Sequence, residues 1–179
     1  MKNLTSTFKL TALAAVTPLL FMGCASTSTP VDSNVAVPAS KFDLSQWKIN
    51  VPVDLNNDGK IDTVDVEEIQ TYAHPDFFYL DDQGYMVFTS PNKALTSANS
   101  TNTRSELRQM IRGTNTKIKT KNSKNNFALA VHPLSERFGS VGGKMEATLK
   151  VDHVALRAND PNKKAAYSVV VGQIHAGKD

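Results

Sequence analysis

Lys144-Met145-Glu146-Ala147-Thr148-Leu149-Lys150-Val151-Asp152 alternates polar and apolar side chains. In an extended chain successive side chains point to opposite faces, so Met145, Ala147, Leu149 and Val151 share one side. Lys144, Glu146, Thr148 and Lys150 share the other. That pattern predicts a strand of an antiparallel sheet with one buried face. Working outward, Phe77 to Leu80 is apolar, Asp81-Asp82-Gln83-Gly84 has the residues of a turn, and Tyr85 to Thr89 returns, a hairpin signature. Tyr167 to His175 reads as a further strand, and Ile49 and Val51 belong to an earlier one that Pro52 ends. One short helix is expected from Val64 to Tyr72, capped by Thr63, with Val66, Ile69 and Tyr72 or Ala73 on its buried side. Many short strands and a single helix predict an all-β sandwich. The sequence given stops at Asp179 directly after a strand, which would leave an unpaired edge, so a fold incomplete at the C-terminus is expected.

The 179 residues suit one domain, and 40% hydrophobic with 21% charged residues is the composition of a globular chain. Met1 to Thr11 carries Lys2 and Lys9 and no acid, and Leu10 to Met22 is mostly apolar but too short and interrupted to span a bilayer. This reads as a secretory signal peptide over residues 1–23. Leu20-Phe21-Met22-Gly23-Cys24 resembles a bacterial lipobox, which makes Cys24, the single cysteine, a lipidation site and the lipid an anchor to membrane. The expected location is outside the cytoplasm, as an outer-membrane lipoprotein or a periplasmic or extracellular protein. Residues 24–40, rich in Ser, Thr and Pro, form a flexible tether, and residues 41–179 form the folded domain. Removing Lys2 and Lys9 with the leader leaves 18 Lys+Arg against 17 Asp+Glu, a balance that argues against nucleic acid as a partner.

Three constellations could carry chemistry. In Arg104-Ser105-Glu106-Leu107-Arg108, an extended chain places Arg104, Glu106 and Arg108 on one face and sends Leu107 and Ile111 to the core. A glutamate between two arginines holds their guanidinium groups in place, and an arginine fork suits a carboxylate ligand. An exposed face of alternating charge would read the same way. In Gln173-Ile174-His175, the amide and the imidazole point the same way, roughly 7 Å apart at about 3.3 Å per residue. Such a pair can polarise a carboxyl group and take up a nearby proton. Finally, Asp54, Asn56, Asp58, Asp62 and Asp65 stand at loop positions 1, 3, 5, 9 and 12, with Gly59 at position 6, as in an EF-hand calcium loop. An Asp/Asn/Gly-rich turn is the simpler account, and structural calcium is therefore a candidate only. Without a second cysteine or a His pair at i, i+4, zinc is not indicated.

Arg104 to Arg108 and Gln173 to His175 together resemble the first two motifs, R-[ST]-E-L-R and Q-[IV]-H, of the alginate lyases of polysaccharide lyase family seven. Phe42-Asp43-Leu44-Ser45-Gln46-Trp47-Lys48-Ile49-Asn50-Val51-Pro52 is similar to that family's domain opening, and Gly139 to Lys144 to the segment before its central strand. The resemblance implies a concanavalin-like β-jelly roll and cleavage of alginate by β-elimination, leaving unsaturated uronate ends. It implies that Arg104 and Gln173 neutralise the uronate carboxylate, that His175 assists or acts as base, and that Glu106 and Arg108 bind and orient. No cofactor is needed for that chemistry, and a monomer is expected. The family's third motif, Y-x-K-x-G-x-Y-x-Q, supplies the tyrosine acid and belongs after Gln173 to His175. None of Tyr72, Tyr79, Tyr85 or Tyr167 has that context, so this chain alone is expected to be inactive or nearly so. The rival reading is a non-catalytic carbohydrate-binding sandwich for acidic polysaccharide, which would keep the arginine face without needing the Gln173/His175 pair.

Overall fold

Trp47–Val51 forms β1, the middle strand of a three-stranded antiparallel sheet, with β2 (Asp62–Val64) on one side and β5 (Glu106–Gln109) on the other. The computed structural model describes residues 35–156 and 167–174. Along β1 the side chains alternate: Ile49 and Val51 are fully buried in the hydrophobic cluster and Trp47 packs against it, while Lys48 and Asn50 turn to the opposite face. The register pairs Ile49 with Val64 and with Leu107, so apolar residues of all three strands meet on the core side. Leu44, Ile69 and Phe78 complete that cluster, and Val53, Tyr72 and Met86 pack against it. Each aliphatic side chain fully removed from water contributes about 1.5–3 kcal/mol, so this group dominates the stability of the described fold.

The expected hairpin is present. β3 (Phe78–Leu80) pairs antiparallel with β4 (Met86–Phe88), and Phe78 and Phe88 lie in ring contact at 5.4 Å. The Oδ1 of Asp81 accepts from the amides of Gln83 and Tyr85, and Gly84 takes a positive φ of 77°, which its lack of a Cβ makes inexpensive. Ser105 Oγ donates to the Phe77 carbonyl at 2.8 Å, tying the start of β5 to the hairpin. A minimal parallel pair, β6 (Phe127–Ala128) with β7 (Ser140–Val141), completes the ladders.

The expected helix from Val64 to Tyr72 is not formed. Thr63 and Val64 belong to β2, and only Glu68–Gln70 coils, as a 3-10 turn. A single turn is what so short a segment can sustain, since helix nucleation is costly. Thr63 does not cap it; the turn's N-cap, Glu67, makes no side-chain capping bond, and just before it Val66 N donates to Asp65 Oδ1 and Asp65 N to Glu68 Oε2. Val66, Ile69 and Ala73 are nevertheless buried, as the spacing predicted.

The strand expected from Lys144 to Asp152 carries no ladder among the described residues, and Met145, Leu149 and Val151 are 61%, 53% and 45% exposed. Alternation decides which side chains share a face, but a strand forms only where a neighbour takes its N–H and C=O groups. The described part of the expected strand from Tyr167 to His175, residues 167–174, is likewise unpaired and exposed. The regular elements among the described residues are therefore short strands and 3-10 turns, with no α-helix and three separate small sheets. None of their helical segments is long and apolar enough to cross a membrane. The signal peptide, Cys24 and most of the tether lie outside the described residues.

Truncating Ile49 to Ala should lower the unfolding free energy by about 2–5 kcal/mol, read from the urea midpoint. Tyr72 offers a second check. Its hydroxyl is buried with no partner among the described residues, and burial, then the Asp62 charge, pushes its pKa up to about 12. With the folded value above the ordinary 10, its contribution is complete below pH 10 and is lost as pH rises through about 12. Tyr72→Phe should raise stability at neutral pH by about 1 kcal/mol and flatten that alkaline loss.

Candidate active site

Opposite the core, the three-stranded sheet presents a polar face. Cross-strand partners share a side, so Lys48 lies beside Arg108 and Asn50 beside both Glu106 and Thr63. Asn50 Nδ2 donates to Thr63 Oγ1 at 2.5 Å, and Arg104 Nη1 donates to Glu106 Oε2 at 3.0 Å. The glutamate thus holds the arginine, as the spacing of Arg104 and Glu106 suggested. Arg104 Nε is buried and has no protein acceptor among the described residues. Leu107 packs against the core, in line with the alternation. Beyond Gln109 that alternation fails: β5 gives way to a turn, Met110 is buried and Ile111 is only half-buried.

The turn after β5 brings in a residue that the motif reading did not single out. Arg112, with a side chain 5% exposed, places Nη2 at 2.9 and 3.2 Å from the two carboxylate oxygens of Asp65, and its Nη1 donates to the Ile118 carbonyl at 3.0 Å. This pair joins the end of β2 to the end of β5. It also directs Asp65 to Arg112, away from the loop in which it was a calcium candidate.

The remaining oxygens of that loop serve its own backbone. Asp54 accepts from the amides of Asp58 and Gly59, Asn56 from Asp58, Asp58 from Lys60, and Asp62 from Leu55. Gly59 has the expected positive φ of 78°. Among the described residues no group of three or more His, Cys, Asp or Glu is placed to hold a metal ion.

Lys48 and Asn50 were also missed. Lys48 is 8% exposed although it carries an ammonium group, and Asn50 is 7% exposed. Burial, then Arg108, pushes the Lys48 pKa down; Asp65 pulls it up, and Arg112 adds to the lowering. The signal was present in the alternation of Trp47, Lys48, Ile49, Asn50 and Val51, but only the register shows which residues of β5 they face.

A family model described as alginate lyase matches residues 42–179. The chain belongs to the alginate lyase family. An alginate lyase from Klebsiella pneumoniae is 46% identical over 157 residues, which are 85% of this chain and 50% of that relative's length. The chain therefore spans about half of the relative it matches. The crystal structure of the alginate lyase from Klebsiella pneumoniae aligns with a TM-score of 0.54 at 47% identity, over 60% of this chain and 38% of the other. Alginate lyase A1-II', a member of polysaccharide lyase family-7, aligns with a TM-score of 0.40 at 34% identity, over 51% of this chain and 35% of that one.

For this alginate lyase family member, the described structure assembles Arg104, Glu106 and Arg108 with Lys48, Asn50 and Thr63 on one face. Gln173 is exposed and in no ladder, and His175 lies outside the described residues. A cleft of about 400 Å³ lies between Ser90 and Asn92 on one side and His153 to Leu156 on the other. Ser90 Oγ is 2.9 Å from Thr103 Oγ1, next in the chain to Arg104.

Breaking the Asp65–Arg112 pair strands a nearly buried guanidinium. Asp65→Asn should cost about 2–3 kcal/mol, less than for a fully buried pair because the carboxylate is partly solvated. Urea unfolding of the variant against the parent chain measures it.

Proposed function

We propose that this chain carries the carboxylate-recognition face of an enzyme that cleaves alginate by β-elimination on a β-jelly roll. The observation that supports the reading best is the Arg104–Glu106 pair, with Arg108 two residues beyond on the same strand, in a chain of the alginate lyase family. In this reading Arg104 neutralises the carboxylate of a uronate bound across the polar face. Neutralisation makes the C5 proton removable by stabilising the enolate-like charge that develops as it leaves; a preorganised donor of this kind is worth about 3 kcal/mol. The electron pair then forms the C4–C5 double bond, the C4–O bond breaks, and the departing glycosidic oxygen receives a proton. Gln173 would share in binding the carboxylate, His175 would assist neutralisation or take the C5 proton, and Arg108 would hold the neighbouring sugar. The chemistry calls on no cofactor; a structural calcium in the loop would be held by Asp54, Asn56, Asp58 and Asp62, without Asp65, which pairs with Arg112. Export, with Cys24 as a lipid anchor, would place the protein where such polymers are met.

One observation favours simple binding for this chain taken alone. No tyrosine is carried by β1, β2 or β5: Tyr72 packs against the core, Tyr79 is in the β3–β4 hairpin, and Tyr85 and Tyr167 are exposed. The chain is therefore expected to bind alginate while releasing unsaturated uronate at or near background.

Calorimetric titration with alginate oligomers, alongside an absorbance assay for the C4–C5 double bond, tests the reading. Arg104→Ala should weaken binding by about tenfold, the loss of one charge-assisted contact. Equal affinity for a neutral glucan would overturn the assignment. Preference for pectate or glucuronan would keep the lyase reading and move the substrate.

A further inference from the structure

We propose that Lys48 binds a second carboxylate together with Arg108, forming a subsite for the uronate next to the one held at Arg104. The inference deepens the reading of this face as a polyuronate site and rests on it.

The register makes Lys48 and Arg108 direct cross-strand partners on one face. Like charges in that relation destabilise a sheet. Lys48 is 8% exposed as a residue, but its Nζ is not among the buried polar atoms left without a partner, so the stem is covered while the ammonium group reaches the surface beside the exposed Arg108. Among the described residues Lys48 makes no hydrogen bond or ion pair. The charged groups acting on it are Arg108 from β5, Asp65 after β2, and Arg112 after β5. Asp65 is the one acid among them, and both of its oxygens already accept from Arg112. Three cations thus share one engaged carboxylate.

The imbalance continues along the chain. Between Gln83 and Ser135 there are eight basic residues and one acid, Glu106, although the whole sequence has a formal charge of only +3. Glu106 is itself engaged by Arg104. Among the described residues no unengaged carboxylate acts on Lys48 beside Arg108. Arg104 and Arg108 are about 13 Å apart along an extended strand, room enough for consecutive sugars of a linear polymer to meet them in turn. A carboxylate between Lys48 and Arg108 would relieve their repulsion and satisfy the ammonium group together.

The test separates binding from folding. Lys48→Met keeps the length and apolar stem of the side chain and removes its charge. The unliganded variant should be at least as stable in urea as the parent chain, because a like-charge contact across the strands is gone. Its affinity for alginate oligomers should fall about tenfold by calorimetry. Arg108→Met should act in the same direction, and the double variant should lose less affinity than the two single losses combined, since both side chains serve one carboxylate. Unchanged affinity of Lys48→Met, or a loss matched by lower stability without ligand, overturns the proposal. If Arg104→Ala loses binding while Lys48→Met keeps it, only the Lys48 assignment falls. If the parent chain binds no polyuronate, the reading of the face falls with it.

Discussion

The burial of β1 on both sides is the constraint on which the rest of the described structure depends. A middle strand must satisfy its backbone through two neighbours, and β2 and β5 do this in registers that bring Val64 and Leu107 to Ile49. Once those apolar residues meet, the opposite face is determined, because the side-chain period of a strand is two. Lys48, Asn50, Thr63, Glu106 and Arg108 must then gather on the other side. The hydrophobic core and the candidate site are consequences of a single register, and a slip of one residue would exchange them.

Around this sheet, polar contacts do what apolar packing does on the other side. Gln70 Nε2 donates to the carbonyls of Leu44 and Val66, fastening the 3-10 turn to the segment leading into β1. Asn125, almost fully buried, accepts from Arg112 N and donates to the Thr120 carbonyl, so the lysine-rich loop after β5 is anchored at its base. Arg112 connects that loop to Asp65. The positive residues of the face are thereby set on a framework that charge repulsion alone would disperse.

The parts of this arrangement legible beforehand are those decided by near neighbours in the chain. The hairpin from Phe77 to Thr89 needed only the acceptor Asp81 and the permissive Gly84. The grouping of Arg104 with Glu106 needed only their spacing. The segment from Val64 to Tyr72 shows where local reading runs out. Its apolar spacing correctly marked Val66, Ile69 and Ala73 as buried, yet Val64 was claimed by pairing with Ile49, and what remained was too short for a helix. The stretch from Lys144 to Asp152 shows the same limit from the other side, for its alternation is strong and it forms no ladder among the described residues.

Sequence alone determined the strand-rich character, the face shared by Arg104, Glu106 and Arg108, and a resemblance to alginate lyases that the family match bears out. Those properties follow from alternation, turn chemistry and short motifs, all of which act over a few residues. Tertiary structure alone decided that Lys48 stands opposite Arg108 and that Asp65 pairs with Arg112, 47 residues away. Both depend on which strands lie side by side, and that choice is made by burying Ile49, Val64 and Leu107 together, not by any pattern within one strand.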